Sequence, residues 1–316
     1  MNTELHLQST TSLYNGVKIP WLGLGTFALK DSSPIKNAIQ IGYRSIDTAS
    51  IYGNEQIVGE GIRQGIETAN ISRAQLFVAS KIWITDQGYD ETLAAYEKSI
   101  QKLGVNYLDL YVIHWPVKEK YKETWRALET LYKQERVRAI GISNFQIHHI
   151  EDIMESCEIK PMVNQIEYHP LLTQKNLYSF CYKQGIQLIS ASPFMKGQLL
   201  DNPILQNIAA KYNKSVAQII LRWNVQNHVI PIPKSSSKER ILSNANIFDF
   251  QLKQEDMELI YSLNQNHRIG PDPNNSHTFL SVYHEWKQEK ITAEEAMERI
   301  KMDPIIFYKR VSELEY

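Results

Sequence analysis

Four polar residues stand at positions where the sequence gives them no packing role. Asp47 ends the short predicted strand 45–47, and Tyr52 follows it by five residues. Lys81 lies within the apolar run 77–83, and His114 comes directly after Val112 and Ile113. A lysine buried among apolar side chains loses its hydration, so it needs a paired carboxylate. We expect Asp47 to be that partner.

These residue types suit the delivery of a proton to a carbonyl group. A tyrosine hydroxyl, with a pKa near 10, is a poor acid at neutral pH. An ammonium about 4 Å away, at an effective dielectric of about 20, favours the phenolate by roughly 4 kcal/mol, or about three pKa units. Asp47 opposes part of this shift, so the figure is an upper value. We predict that Tyr52 donates the proton and that His114 orients the carbonyl oxygen, either by donating a hydrogen bond to it or by joining the proton relay. The spacing alone also fits a structural Asp–Lys pair beside a core histidine and a rim tyrosine.

Eight short apolar runs rich in Val, Ile and Tyr alternate with stretches of helical periodicity, a pattern typical of repeated βα units. The predicted strands are 21–24, 45–47, 76–82, 108–114, 137–143, 162–167, 187–190 and 229–231. Between them, stretches such as 91–103 and 123–133 place their apolar residues on one helical face. No Pro/Gly/Ser-rich linker precedes Gly270. The sequence therefore predicts an α/β fold, one (β/α)8 TIM barrel whose active site is built from the C-terminal strand ends.

The two ends of the chain differ from the repeated units. Residues 11–19 carry Asn15-Gly16 between β-type residues, which predicts a type I′ hairpin that closes the bottom of the barrel. Residues 267–277 are rich in Pro and Asn and predict a loop, followed by a charged helical segment. We divide the chain into a barrel domain, 1–280, and a C-terminal helical extension of unknown role, 281–316. Six Lys/Arg against eight Asp/Glu in that extension argue against nucleic-acid binding.

Bulk composition bounds the class of protein. A content of 43% hydrophobic and 22% charged residues over 316 positions is ordinary for a soluble globular chain. The net charge of −1 provides no broad basic field for nucleic acid or anionic lipid. No leader-like segment and no apolar run of about 18 residues occurs, so we expect a cytoplasmic protein without a membrane partner. Cys157 and Cys181 are too few for a disulfide framework, and the histidines lack metal-binding spacing, so we expect no metal.

Five motifs, taken in order, resemble those of the aldo-keto reductases. They are Gly23-Leu24-Gly25-Thr26-Phe27 and the segments 42–55, 108–116, 141–145 and 164–170. The resemblance is closest to the bacterial branch that includes 2,5-diketo-D-gluconate reductases and glyoxal or methylglyoxal reductases. It implies a catalytic tetrad of Asp47, Tyr52, Lys81 and His114, with Tyr52 as the acid. It also implies an NADP-dependent oxidoreductase in which hydride passes from the nicotinamide to the carbonyl carbon of an aldehyde or ketone.

The segment 233–240, after the eighth predicted strand, has a composition that suits a phosphate group. Hydroxyls, a lysine and an arginine gather at the start of a predicted helix, for which Ser236 and Glu239 form a capping box. Such a helix start binds anions, although a solvated basic helix start remains the alternative. The resemblance implies that the residues of this segment that bind the 2′-phosphate of NADP are Lys234, Ser235 and Arg240. We therefore expect NADPH rather than NADH.

The resemblance assigns further residues to the cofactor and the substrate. The remaining cofactor contacts are Gly25, Thr26, Asp47, Ser143, Asn144, Gln165, Ser192 and Asn244. Within this set, Asn244 contacts the adenine, and Ser143, Asn144 and Gln165 contact the nicotinamide carboxamide. The substrate pocket is expected to contain Trp21, Tyr52, His114 and Trp115.

One departure from the family pattern concerns the aromatic residue that usually stacks on the nicotinamide. The family carries Tyr or Trp before Ser-Pro after the seventh strand, whereas this chain has Ala191 before Ser192-Pro193. Cofactor affinity is therefore in question, and Phe194 is the candidate for covering the nicotinamide from a shifted position.

Three other interpretations of the sequence are open to comparison with this one. The run from Gly23 to Ala28 imitates a Rossmann fingerprint with Asp47 at the ribose distance, but no helix opens directly after it. A Tyr-x-x-x-Lys spacing at Tyr14 and Lys18, as in short-chain dehydrogenases, straddles a predicted turn. A cofactor-binding sensor or regulatory subunit with little turnover stays open, although the intact tetrad favours turnover. We expect a small-molecule carbonyl substrate and a monomer, with association through the tail left open.

Overall fold

The computed structural model describes residues 5–274, 276–300 and 302–315. The strands in this part of the chain are Thr10–Ser12 (β1), Lys18–Pro20 (β2), Leu24–Gly25 (β3), Ser45–Asp47 (β4), Phe77–Ile82 (β5), Leu110–Ile113 (β6), Ile140–Ser143 (β7), Val163–Glu167 (β8), Gln187–Ala191 (β9) and Ile230–Pro231 (β10). Each of the eight predicted strands overlaps one of β3 to β10. Apolar runs bounded by turn residues were thus a sufficient signal for the sheet.

Strands β3 to β10 form one parallel sheet in chain order, and this sheet curls into a barrel. Closure is made by backbone hydrogen bonds, in which the N–H groups of Gly23 and Gly25 donate to the carbonyls of Pro231 and Pro233, at 3.1 Å each. A Cβ on Gly25 would lie 2.9 Å from the carbonyl oxygen of Ile232, so this close approach requires glycine. The predicted (β/α)8 fold is confirmed.

Helices surround the barrel and connect its strands. Those of the barrel region are Ser33–Ile41 (α1), Glu55–Ala69 (α2), Tyr89–Leu103 (α3), Tyr121–Lys133 (α4), Ile147–Met154 (α5), Lys175–Gln184 (α6), Pro203–Tyr212 (α7), Val216–Gln226 (α8), Lys238–Ala245 (α9) and Gln254–Tyr261 (α10). The stretches 91–103 and 123–133 fall within α3 and α4, as their periodicity predicted. Because every βα unit runs in the same direction, the loops that follow the strands all meet at one face of the barrel.

The N-terminal hairpin covers the opposite face. Strands β1 and β2 pair antiparallel, and Asn15 Nδ2 donates to the backbone oxygen of Arg138, just before β7, at 3.0 Å. The predicted type I′ turn is wrong, because Gly16 has φ +88° while Asn15 is not left-handed. Instead, the Gly16 N–H donates to Leu13 O and the Leu13 N–H donates to Val17 O. This is a type I turn followed by a glycine bulge, which needs one left-handed residue rather than two.

Three further helices follow the barrel: Ser276–Lys287 (α11), Ala293–Arg299 (α12) and Pro304–Glu315 (α13). Buried apolar side chains of these helices and of the connection between the first two form a second core, separate from that of the barrel: Phe279, Val282, Ile291, Ala296, Phe307 and Val311. The predicted boundary after residue 280 falls within α11. Across the described ranges, we find no helix with the length and apolar character needed to span a bilayer.

Candidate active site

The predicted ion pair lies at the C-terminal ends of β4 and β5. The Lys81 Nζ donates to Asp47 Oδ1 at 2.5 Å and to the backbone oxygen of Thr48 at 2.8 Å, and the Lys81 side chain has no exposed surface. Burial alone would lower the pKa of Lys81, but the charge of Asp47 and the hydroxyl of Tyr52 raise it above its ordinary value. Lys81 is therefore an ammonium at neutral pH.

Tyr52 lies beside this ammonium, on the short 3-10 helix Ser50–Tyr52 that follows β4. The Lys81 Nζ is 5.2 Å from the centroid of the Tyr52 ring. The ring makes edge contacts with Phe27 and His114, at centroid distances of 5.1 and 5.9 Å. Tyr52 thus contacts the ammonium and two aromatic rings.

The net effect of this environment on Tyr52 differs from the sequence argument. Burial is the largest influence and raises the pKa of Tyr52, while Lys81 lowers it by less and Asp47 adds to the rise. The prediction that the pKa of Tyr52 is lowered overall is wrong, because burial also removes water from the phenolate and so disfavours it. Tyr52 therefore keeps its proton throughout the neutral range, which is the form that a proton donor must have.

His114 completes the group, directly after β6. Burial and, to a smaller extent, the charge of Lys81 hold the pKa of His114 well below its usual range, so its ring is neutral at pH 7. Within the described residues, His114 Nδ1 has no hydrogen-bond partner. A neutral imidazole can donate one hydrogen bond without competing with Tyr52 as an acid.

Aromatic side chains line the space around the four polar groups. Trp83 and Trp115 are buried together with Ile84, and the Trp83 ring lies 5.3 Å from that of His114. Trp115 was predicted here, whereas Phe27 and Trp83 were missed. Both lie within two residues of a strand's C-terminal end, a signal that could have identified them. The walls are thus apolar and the polar groups few, as in small-molecule sites.

Trp21 does not lie at this site. Its ring is 6.0 Å from that of His228 and borders a cavity of about 280 Å³ that is also lined by Thr11 and Ser12 of the N-terminal hairpin. Trp21 precedes β3 and therefore lies at the N-terminal face of the barrel. The prediction that Trp21 lines the substrate pocket is corrected, and Phe27, which follows β3, is the aromatic residue at the active-site face.

Amides predicted to contact the nicotinamide carboxamide are joined to the tetrad. The Gln165 Nε2 donates to Asp47 Oδ2 at 2.9 Å, so both oxygens of that carboxylate have partners. The Asn144 Nδ2 donates to the backbone oxygen of His114 at 2.9 Å and to Ser143 Oγ at 3.1 Å. Asn144 adopts φ +64°, in the left-handed region that asparagine tolerates. These bonds fix the ends of β6, β7 and β8 relative to Asp47.

The segment after β10 presents cations at a helix start. The backbone of Lys234 pairs with that of Gly25 in a parallel β-bridge at the barrel closure. The side chains of Lys234 and Arg240 are exposed. The N-cap of α9 is Ser237, whose Oγ accepts the Arg240 N–H at 3.3 Å, so the predicted cap at Ser236 is one residue early. Ser235 is buried, and its Oγ accepts the Ser237 N–H at 3.2 Å. Exposed cations at a helix N-terminus suit a phosphate group.

The remaining residues that were predicted to contact the cofactor differ in solvent exposure. Thr26 is fully buried, and its hydroxyl donates to the backbone oxygen of Asp47 at 3.0 Å. Asn244 is buried on α9, whereas Ser192 is exposed with φ +51°. Ala191 ends β9 and is partly exposed, and Phe194 packs against the barrel core.

A parallel eight-stranded barrel with an Asp–Lys–Tyr–His group at its C-terminal face defines a class of protein. The sequence profile of the aldo/keto reductase family matches residues 22–265, and the chain belongs to this family of oxidoreductases.

The match to individual relatives covers nearly the whole length of each relative. The chain is 61% identical over 274 residues to the uncharacterized oxidoreductase YtbE of Bacillus subtilis (strain 168), covering 85% of this chain and 98% of YtbE. It is 56% identical to glyoxal reductase of the same organism, covering 84% and 97%. Among solved structures, the Bombyx mori aldo-keto reductase AKR2E4 in complex with NADP superimposes with a TM-score of 0.80 at 35% identity, covering 90% and 97%.

Proposed function

We propose that the protein reduces aldehydes and ketones to alcohols with NADPH, and that Tyr52 donates the proton. The observation that carries this proposal is the contact of the buried Asp47–Lys81 pair with a protonated Tyr52 beside a neutral His114. When bound, NADPH supplies hydride to the carbonyl carbon. The chain's own residues then need to hold the carbonyl oxygen and provide one proton.

Each of the four residues has a task that its environment supports. His114 donates a hydrogen bond to the carbonyl oxygen and places it near the Tyr52 hydroxyl. As negative charge develops on that oxygen, the Tyr52 proton moves to it and the O–H bond of Tyr52 breaks. The phenolate left behind is stabilised by the Lys81 ammonium, which Asp47 holds in position. Charge balance is restored when Tyr52 takes up a proton from water.

The segment after β10 supports a preference for NADPH. Lys234 and Arg240 provide two exposed cations at the start of α9, where a doubly charged 2′-phosphate would be favoured. The NADP complex of the Bombyx mori relative supports the same cofactor class. We expect weaker use of NADH, which lacks that phosphate.

The substrate class that we propose is small 2-oxoaldehydes such as methylglyoxal, with keto sugars such as diketogluconate as the second choice. Apolar walls formed by Phe27, Trp83 and Trp115 suit a small, weakly polar carbonyl compound. The similarity to glyoxal reductase favours the first choice.

The test is NADPH oxidation by the purified chain with methylglyoxal, diketogluconate and aromatic aldehydes, repeated with NADH. We expect turnover with NADPH and the highest kcat/KM for methylglyoxal. Tight NADPH binding without reduction of any compound would overturn the proposal and favour a sensor subunit.

A further inference from the structure

The helices α11 to α13, here called the C-terminal unit, lie beyond the region matched to the family. The family match ends at residue 265, and YtbE is covered over 98% of its own length while accounting for 85% of this chain. The unit has a separate core, in which the Phe279 and Trp286 rings lie 5.7 and 5.4 Å from the Phe307 ring. Glu285 of α11 pairs with Arg299 of α12 at 2.6 Å. The unit is therefore a small packed body.

The chain that leads to this unit leaves the barrel from a fixed point. The Glu167 carboxylate, at the end of β8, accepts the N–H groups of Ile269 and Gly270 at 2.8 and 2.9 Å. The same carboxylate contacts His169 Nε2 at 2.9 Å, and both side chains are buried. Because β8 ends at the face that carries the tetrad, the unit begins on that face.

The first helix of the C-terminal unit, α11, packs close to the tetrad. Helix α11 packs against the short 3-10 helix Ile84–Asp86, and the His284 ring lies 6.4 Å from that of Trp83. Burial lowers the pKa of His284, and the nearby Asp86 carboxylate opposes that shift. Trp83 also contacts His114, at a ring distance of 5.3 Å. Trp83 thus contacts both a proposed catalytic residue and α11, with 6% of its surface exposed.

We propose that the C-terminal unit is a specificity wall of the substrate pocket, in which His284 fixes the ring of Trp83. With the Trp83 ring fixed by this contact, the pocket does not widen at Trp83, so it admits small carbonyl compounds and excludes those with a bulky substituent. This inference rests on the proposed function and adds a residue that selects by substrate size. His284 acts through Trp83 and is therefore a positioning residue.

The experiment compares methylglyoxal with phenylglyoxal, which share the dicarbonyl group and differ in substituent size. In full-length His284→Ala, and in Phe307→Ala, which loosens the unit's core, the ratio of kcat/KM for phenylglyoxal to that for methylglyoxal should rise roughly tenfold. The change should lie in a lower KM for phenylglyoxal, with kcat for methylglyoxal near that of the wild type. Lys309→Ala, an exposed change on α13, should leave the ratio unchanged. An unchanged ratio in both test variants overturns the proposal.

A second readout does not depend on activity. Hydrogen–deuterium exchange of residues 83–87 should be faster in Phe307→Ala than in the wild type, because α11 would cover this segment less firmly. Unchanged exchange there overturns the wall even if the enzyme reduces neither compound. Conversely, faster exchange in a protein that reduces no carbonyl supports the wall and refutes the proposed reaction alone.

Discussion

Lys81 carries a charge with no exposed surface, and its partners explain how the fold tolerates it. Asp47 neutralises the ammonium, Thr48 provides a carbonyl acceptor, and Gln165 occupies the second carboxylate oxygen of Asp47. A buried ion pair adds little net stability, but removing one member leaves an uncompensated charge. The arrangement is therefore better understood as a device for placing a cation beside Tyr52 than as a source of folding energy.

This view predicts an asymmetry in stability. Lys81→Met should lower the free energy of unfolding by about 3–5 kcal/mol, because Asp47 stays buried without its cation. The double variant Asp47→Asn/Lys81→Met should recover a large part of that loss, and both proteins should lack activity. Urea denaturation followed by circular dichroism measures the difference. Equal destabilisation in the single and double variants would contradict the account.

Ala191 stands at the position where the family usually has an aromatic residue. Introducing the ring that the family usually carries, as Ala191→Tyr, should lower the Kd for NADPH roughly two- to tenfold, since an aromatic contact adds about 0.5–1.5 kcal/mol. Fluorescence titration with NADPH measures the constant. Ala191→Leu is the control, because it adds apolar area without a ring. Binding no tighter than in the wild type would mean that the position does not face the nicotinamide.

Among the elements, the strands could be predicted from the sequence and some side-chain placements could not. Apolar runs identify a strand, but Trp21 was assigned to the wrong face because its distance from the strand's C-terminal end was not used. The turn type at Asn15-Gly16 could not be predicted either, because the pair Asn-Gly occurs both in type I′ turns and in type I turns followed by a glycine bulge. The cap of α9 was misplaced by one residue, since Ser235, Ser236 and Ser237 are all plausible caps.

The N-terminus of α9 predicts how the cofactors are distinguished. Lys234→Met and Arg240→Leu should each raise the KM for NADPH roughly tenfold or more, because a hydrogen bond to a charged group contributes about 1.5–3 kcal/mol. The KM for NADH should change little in either variant. Steady-state kinetics with both cofactors at fixed ionic strength checks this. Equal losses with NADH and NADPH would indicate that these cations act on structure and not on the 2′-phosphate.

Across the whole molecule, the two faces of the barrel have different contents. The N-terminal face carries the hairpin and the aromatic cavity beside Trp21, whereas the C-terminal face gathers the tetrad, the start of α9 and the contact with α11. The sequence predicted the barrel and a helical tail. It could not predict that His284 meets Trp83, because a contact between residues 201 positions apart has no local pattern.

The pH dependence of stability is a prediction for the molecule as a whole. His114 has a folded-state pKa well below that of the unfolded chain, about 6.5, so the unfolded state binds a proton that the folded state does not. Stability should therefore fall as the pH drops below about 6.5. In His114→Gln this fall should be shallower by up to about 1.4 kcal/mol per pH unit. Urea midpoints between pH 5 and pH 8, with His148→Gln on the exposed surface as control, measure it. Parallel pH profiles would contradict a buried neutral His114.

The most direct measurement for the central claim is Tyr52→Phe, which removes one hydroxyl and keeps the ring between Phe27 and His114. Reduction of methylglyoxal should fall by about 10²–10⁴-fold, because the proton donor is lost, while the Kd for NADPH stays within about twofold of the wild type. Turnover close to the wild-type rate in this variant would show that the proton comes from elsewhere.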